Sequence, residues 1–212
     1  MDVRLIVVTD RTMIKSSSNI PFLEMIRSVA FSGATMIQLR EKNIESIDFL
    51  KLADEVRESL LGSDCSLIIN DRLDIALVSA ANGVHFGQDD LLLPGAKKIV
   101  DSDFIFGVST PNPQLAEIAI KDGADYIGVG PAFSTTSKQT DREPLGEEGL
   151  KKMVSSFPNF PIVAIGGVNI KNLRMVLESG VSGVAVIAAI MNSPFPEKSC
   201  VEMRKVIDEE IK

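Results

Sequence analysis

The chain has 212 residues, 45% of them hydrophobic and 24% charged, with 15 glycines and 10 prolines; this balance excludes disordered and fibrous classes and suffices to bury a substantial core. A net charge of −7 and a pI near 4.9 exclude the broad basic face that nucleic acid or an anionic membrane demands, yet leave room for a few Lys and Arg around a small anion. The apolar N-terminal run is cut by Asp10 and Arg11 and lacks the form of a signal peptide, no apolar stretch nears the ~20 residues that span a bilayer, and Cys65 and Cys200 show neither CxxC nor metal spacing, so the expected location is the cytoplasm.

Along the chain, β-branched or apolar runs predict strands at residues 5–9, 36–39, 67–70, 83–86, 104–109, 126–130, 162–165 and 183–187. Apolar at nearly every position, they suit strands buried on both faces of a parallel sheet. Helical periodicity fills the intervals. Phe22, Met25, Ile26 and Val29 fall at i, i+3, i+4 and i+7, followed by Ile47, Leu50, Ala53 and Leu60, then Leu115, Ile118 and Ala119, then Leu173, Val176 and Leu177. Gly33, Gly123 and Gly180 each stand just past a helical stretch and just before a strand, where a left-handed residue ends a helix. Eight β-α alternations without a linker predict a single domain over residues 1–212. Its expected fold is a closed (β/α)8 TIM barrel, with a doubly wound open sheet as the alternative.

In such a barrel the loops after the strand C-termini build the active site. Here those positions are polar: Asp10, residues 38–42, Asn70 and Asp71, Gln88 to Asp90, Ser109 and Thr110, then Gly166 and Gly167. Gln38 and Arg40 share strand parity, and Lys42 continues it. They form either an ion pair at the barrel mouth or a cationic wall for phosphate, with Arg binding bidentately and Lys as a point charge. Asp71 and Asp90 come from adjacent strand ends, where two carboxylates repel unless they share a cation or a proton. Hard oxygen ligands favour Mg²⁺ completed by substrate phosphate. Asp71 as a helix N-cap is the competing reading, and Asp89 is the alternative metal partner.

The loop at 130–140 holds four consecutive hydroxyl residues at 134–137, then Lys138; it reads as an anion clamp or a mobile flap. Gly166-Gly167 and the Ala188-Ala189 turn fall where many such barrels hold a phosphate on backbone N–H groups. His85, the only histidine, lies inside the fourth strand. It is expected to be a hydrogen-bonded core imidazole, with no nucleophile paired to it.

These stretches resemble a known family. Residues 33–42 (GATMIQLREK), Ile69-Asn70-Asp71-Arg72, residues 83–91 (GVHFGQDDL), 125–133 (DYIGVGPAF) and 163–168 (VAIGGV) are similar, in kind and order, to the blocks of thiamine phosphate synthases. The similarity runs from Val8 to about Ile190. It implies a Mg²⁺-dependent transferase that condenses hydroxymethylpyrimidine diphosphate with hydroxyethylthiazole phosphate and releases diphosphate. It implies that Gln38 and Asn70 contact the pyrimidine, and that Arg40, Lys42, Ser109 and Lys138 hold its diphosphate with help from Thr135 and Ser137. Asp71 and Asp90 would ligate Mg²⁺. Gly167 and the backbone of Val186, Ile187 and Ala188 would receive the thiazole phosphate. The implied partners are small molecules, with no nucleic acid and no membrane, and homo-oligomerisation is left open.

Two departures stand out. After Ser109 the chain reads Thr110-Pro111-Asn112, where many members carry a histidine, and Ala188 stands where serine is common. A related thiazole tautomerase uses a histidine in that region, so Pro111 weighs against that alternative. A non-catalytic barrel that binds a phosphorylated ligand is the other one.

Overall fold

The computed structural model describes residues 1–14, 20–90, 93–135 and 142–211. Eight strands run in chain order: β1 (Leu5–Val8), β2 (Met36–Leu39), β3 (Ser66–Asn70), β4 (Gly83–Phe86), β5 (Ile105–Ser109), β6 (Tyr126–Val129), β7 (Ile162–Ile165) and β8 (Gly183–Val186). Each pairs in parallel with the next, and β1 pairs with β8 as well, Ile6 opposite Ala185, so the sheet closes into a barrel. The open-sheet alternative is thereby removed. Between strands lie α1 (Phe22–Phe31), α2 (Ser46–Ser59), α3 (Leu73–Val78), α4 (Leu93–Ala96), α5 (Pro113–Lys121), α6 (Gly146–Ser156) and α7 (Leu173–Glu178). After β8 come α8 (Ala188–Met191) and α9 (Pro196–Glu210), the latter packing on α1 and α7.

The period-2 geometry of strands sorts the apolar runs into two cores. Leu5, Val7, Ile37, Leu39, Leu67, Ile69, Val84 and Phe86 face outward and join the helices in the larger core. Ile6, Val8, Met36, Ile68, Tyr126, Val163 and Ala185 fill the barrel interior. Both faces being buried, almost no strand position tolerates a polar residue. Apart from Ser66 at the entry of β3, those that appear on the inward parity lie towards the strand ends and are informative: Gln38 and Asn70, then His85 and Ser109.

Gly33, Gly123 and Gly180 adopt φ of 114°, 94° and 88°, the left-handed turn between helix and strand that an L side chain resists. The predicted stripes of α1 and α7 match the buried faces, apart from Phe22 at the helix start, which is only half-buried. Two others need correction. In α2 the buried residues are Phe49, Leu52, Ala53 and Val56, whereas Ile47 is 60% exposed. In α5, Ala116 and Ala119 are buried and Ile118 faces out. Each helix carries apolar residues on more than one side, and packing against the sheet selects which side is buried.

The corrected face is testable by denaturant unfolding. Phe49→Ala should lose roughly 3–5 kcal/mol, while Ile47→Ala should stay within about 0.5 kcal/mol of the parent. The reverse order would restore the original stripe.

Candidate active site

All eight strands point the same way, so their C-terminal ends share one rim. Gln38 is 4% exposed, and its Nε2 has no hydrogen-bond partner among the described residues. Thr110, just past β5, is likewise buried with an unpartnered Oγ1. A buried donor left without a partner costs about 1–3 kcal/mol, and neither atom is satisfied by the described residues. Gln38, His85 and Tyr126 line a small cavity of about 10 Å³ in the barrel interior.

His85 is buried as expected, but it has a neighbour the sequence did not suggest. Its Nε2 lies 2.8 Å from Ser109 Oγ, and its Nδ1 lies 3.0 Å from the Tyr126 hydroxyl. The expectation that no nucleophile-type side chain pairs with it is corrected. His85 and Ser109 sit on adjacent strands, a proximity only register can create.

The residues expected to form a cationic wall follow directly on β2, which ends at Leu39. Arg40 donates its backbone N–H to Thr9 Oγ1 at 2.9 Å, and its Nη1 meets Asp10 Oδ2 at 3.5 Å. That contact is too long to hold the guanidinium firmly, and its other donors have no partner among the described residues. Lys42 is exposed. Glu41 between them receives both Arg11 nitrogens, at 2.6 and 3.1 Å, tying the loop after β2 to the short 3-10 turn at Arg11–Met13. Sequence reading assigned Glu41 no structural role.

The carboxylates follow at the next two strand ends. Asp71 sits in left-handed backbone, φ 66°, a conformation that is uncommon for a non-glycine residue and marks stored strain. Its N–H donates to the His85 carbonyl at 2.9 Å. The helix-cap reading fails, because the N-cap of α3 is Arg72 and no side chain caps it. Asp90 folds back to accept the Gly87 N–H at 2.5 Å through Oδ2, while Asp89 is exposed. Among the described residues no group of three or more His, Cys, Asp or Glu gathers. Asp71 and Asp90 offer hard oxygen donors, the type of ligand Mg²⁺ takes.

Beside these lies the main cavity, about 490 Å³, within the usual range for a small-molecule site. It brings together Ser109, Thr135, Gly167, Val186, Ile187 and Ala188. Gln38, Arg40, Lys42, Asn70, Asp71 and Asp90 do not line it; they occupy the neighbouring sector of the rim. Ser137 and Lys138 lie outside the described residues. Gly166 and Gly167 have φ of 96° and 68°, and a Cβ on Gly167 would meet Phe133 and the Ser134 carbonyl at 2.7–2.9 Å. The two glycines therefore let the end of β7 lie directly against the segment 131–134, and both line the cavity. Arg142 is the one charged residue among the cavity's described lining residues. The sequence analysis did not single it out; the available signal was a basic residue five positions past the hydroxyl stretch at 134–137.

A closed parallel barrel with polar strand ends and a cavity on one rim has the architecture of the (β/α)8 enzymes. More narrowly, the chain belongs to the thiamine monophosphate synthase family, which it matches over residues 5–190. It is 42% identical over 190 residues to a thiamine-phosphate synthase of Clostridium novyi (strain NT), covering 90% of this chain and 91% of that one. It is 39% identical over 209 residues to that of Clostridium tetani (strain Massachusetts / E88), at 99% and 98% coverage. Among solved structures, thiamine phosphate pyrophosphorylase from Pyrococcus furiosus superposes with a TM-score of 0.89 at 37% identity, covering 99% and 98% of the two chains. No helix among the described residues is long and apolar enough to cross a membrane.

Burial, reinforced by the charge of Asp125, pushes the Tyr126 phenol above its ordinary value. Burial also raises Cys65 to about 12 and Cys200 to about 11. All three are neutral when folded and ionise more easily when unfolded. Their contribution to stability is complete below the unfolded values, about 8.5 for Cys and 10 for Tyr, and is lost as pH rises above them. The chain has one tyrosine and no tryptophan, so tyrosinate absorbance reads Tyr126 alone. It should appear only together with alkaline unfolding seen by circular dichroism. Tyrosinate formed near pH 10 in a folded chain would contradict the burial.

Proposed function

We propose that the chain joins hydroxymethylpyrimidine diphosphate to hydroxyethylthiazole phosphate, giving thiamine phosphate and diphosphate. The bond from the pyrimidine methylene carbon to the diphosphate oxygen breaks, and a bond from the thiazole nitrogen to that carbon forms. The electron-rich pyrimidine supports a cationic methylene carbon before the nitrogen attacks. Such a reaction needs stabilisation of the leaving charge and alignment of two substrates more than it needs a strong base.

The observation that carries this reading is the adjoining of two sectors on one rim. One holds the family's QLREK and Asn-Asp residues; the other is the glycine-lined cavity with Ser109 and Thr135. In this reading Gln38 and Asn70 orient the pyrimidine, matching the unpartnered amide of Gln38. Arg40, loosely held by Asp10, turns its donors to the diphosphate with Lys42, Ser109 and Lys138, assisted by Thr135 and Ser137. Gly167 and the backbone of Val186, Ile187 and Ala188 receive the thiazole phosphate. Ala188 offers no hydroxyl there, and Arg142 lines the same cavity. Asp71 and Asp90 would hold Mg²⁺, which when bound neutralises charge on the leaving diphosphate. The two cysteines are buried and unbridged, which suits a reducing compartment such as the cytoplasm.

Purified protein given both substrates and Mg²⁺ should release thiamine phosphate, and should form none when either substrate is omitted. Formation without the pyrimidine diphosphate, or none with the full mixture, would remove the proposal. Excess EDTA should abolish turnover and Mg²⁺ should restore it. Asp71→Asn should lower kcat at least ~100-fold while its urea midpoint stays near the parent's, because the side chain is partly exposed. An equally active Asp71→Asn enzyme would refute the metal assignment.

A further inference from the structure

Beneath Ser109 runs a hydrogen-bond chain that the roles above leave unused: Tyr126 hydroxyl to His85 Nδ1, and His85 Nε2 to Ser109 Oγ, at 3.0 and 2.8 Å. The strands are shaped around it. His85 lies in register with Gly107 of β5, and Gly107 with Tyr126 of β6. A Cβ on Gly107 would collide with both the phenol and His85 Nδ1. The missing side chain is what lets the two rings meet across the strand between them. Gly128 of β6 lies opposite Ser109 in register, and a Cβ there would press on the imidazole at 3.3 Å.

The direction of the protons follows from chemistry. Tyr126 is 1% exposed, and its phenol keeps its hydrogen. A buried hydroxyl places that hydrogen on an acceptor, and His85 Nδ1 lies within hydrogen-bond reach at 3.0 Å. A neutral imidazole that accepts at Nδ1 carries its proton on Nε2. Nε2–H then donates to Ser109 Oγ, and the serine's own hydrogen is available to the main cavity that Ser109 lines. Phosphate oxygens are acceptors. With the opposite tautomer Ser109 would donate inward to His85 and turn only lone pairs towards an anion.

We propose that His85 and Tyr126 are positioning residues that lock the Nε2–H tautomer and so make Ser109 a hydrogen-bond donor to a substrate phosphoryl oxygen. The inference rests on the reading of Ser109 as a diphosphate contact. It also separates this chain from a nucleophilic triad, in which the third group accepts from Nδ1–H and leaves Nε2 free to take the serine proton. Here the third group donates, so His85 is no base towards Ser109.

His85 is the only histidine, so NMR of the nitrogen-labelled full chain at neutral pH reads its tautomer without ambiguity. The expected spectrum is a neutral ring with Nε2 protonated and Nδ1 bare; the Nδ1–H tautomer or an imidazolium overturns the proposal. Tyr126→Phe should mix the tautomers and lower kcat roughly tenfold or more, with KM for the thiazole substrate unchanged. In a Ser109→Ala background the same substitution should add nothing. If the two substitutions multiply independently, the relay through Ser109 is wrong. If the parent enzyme makes no thiamine phosphate, the functional reading fails, and the NMR spectrum still decides the tautomer.

Discussion

Closure of a parallel sheet is the constraint on which everything else in this protein depends. Once β1 pairs with both β2 and β8, all eight strands must enter the barrel from one end and leave at the other. Each return path then needs a helix or a long loop on the outside. Both faces of every strand become buried, one by helices and one by the barrel's own interior. Polar chemistry is squeezed out of the body of the barrel and towards the strand ends.

That squeeze makes the few inward polar residues conspicuous. Gln38, Asn70, His85 and Ser109 belong to consecutive strands, and each has a different means of satisfaction. His85 is fully engaged between Tyr126 and Ser109. Gln38 has an amide nitrogen with no partner among the described residues. Asp71, one residue beyond β3, is held in left-handed backbone by a bond to the neighbouring strand. Strain and unmet hydrogen-bonding capacity on one rim are what a site retains when its ligand is to complete it.

The loops supply what the rigid strands cannot. Arg11 clamps Glu41 and Asp10 loosely holds Arg40, so one acid of the rim fixes the loop while the other leaves a guanidinium free to reorient. On the opposite side, Gly166 and Gly167 bring backbone to the cavity wall. A charge-bearing sector and a backbone-bearing sector meet at Ser109, which belongs to the cavity through its side chain and to the β4 loop through its carbonyl, which accepts from Gln88.

Much of this was legible in the amino-acid order. Eight apolar runs located all eight strands to within a residue or so at their ends, because a strand buried on both faces has no alternative composition. The Ser-Gly-Ala type turns were legible because only glycine accepts their φ. The polar strand ends were legible once a barrel was assumed, since the fold has one functional face. Other features were decided only in three dimensions. The buried face of α2 depends on how the helix rolls on the sheet, which brought in Phe49 and left Ile47 outside. The contact of Arg40 with Asp10 depends on β1 and β2 lying side by side. The partnership of His85 with Ser109 and Tyr126, and the space Gly107 clears for it, come from the register between strands. Local composition determines which segments become strands and where glycine must turn the chain; cross-strand register brings together residues 24 and 41 positions apart, and no local preference encodes that.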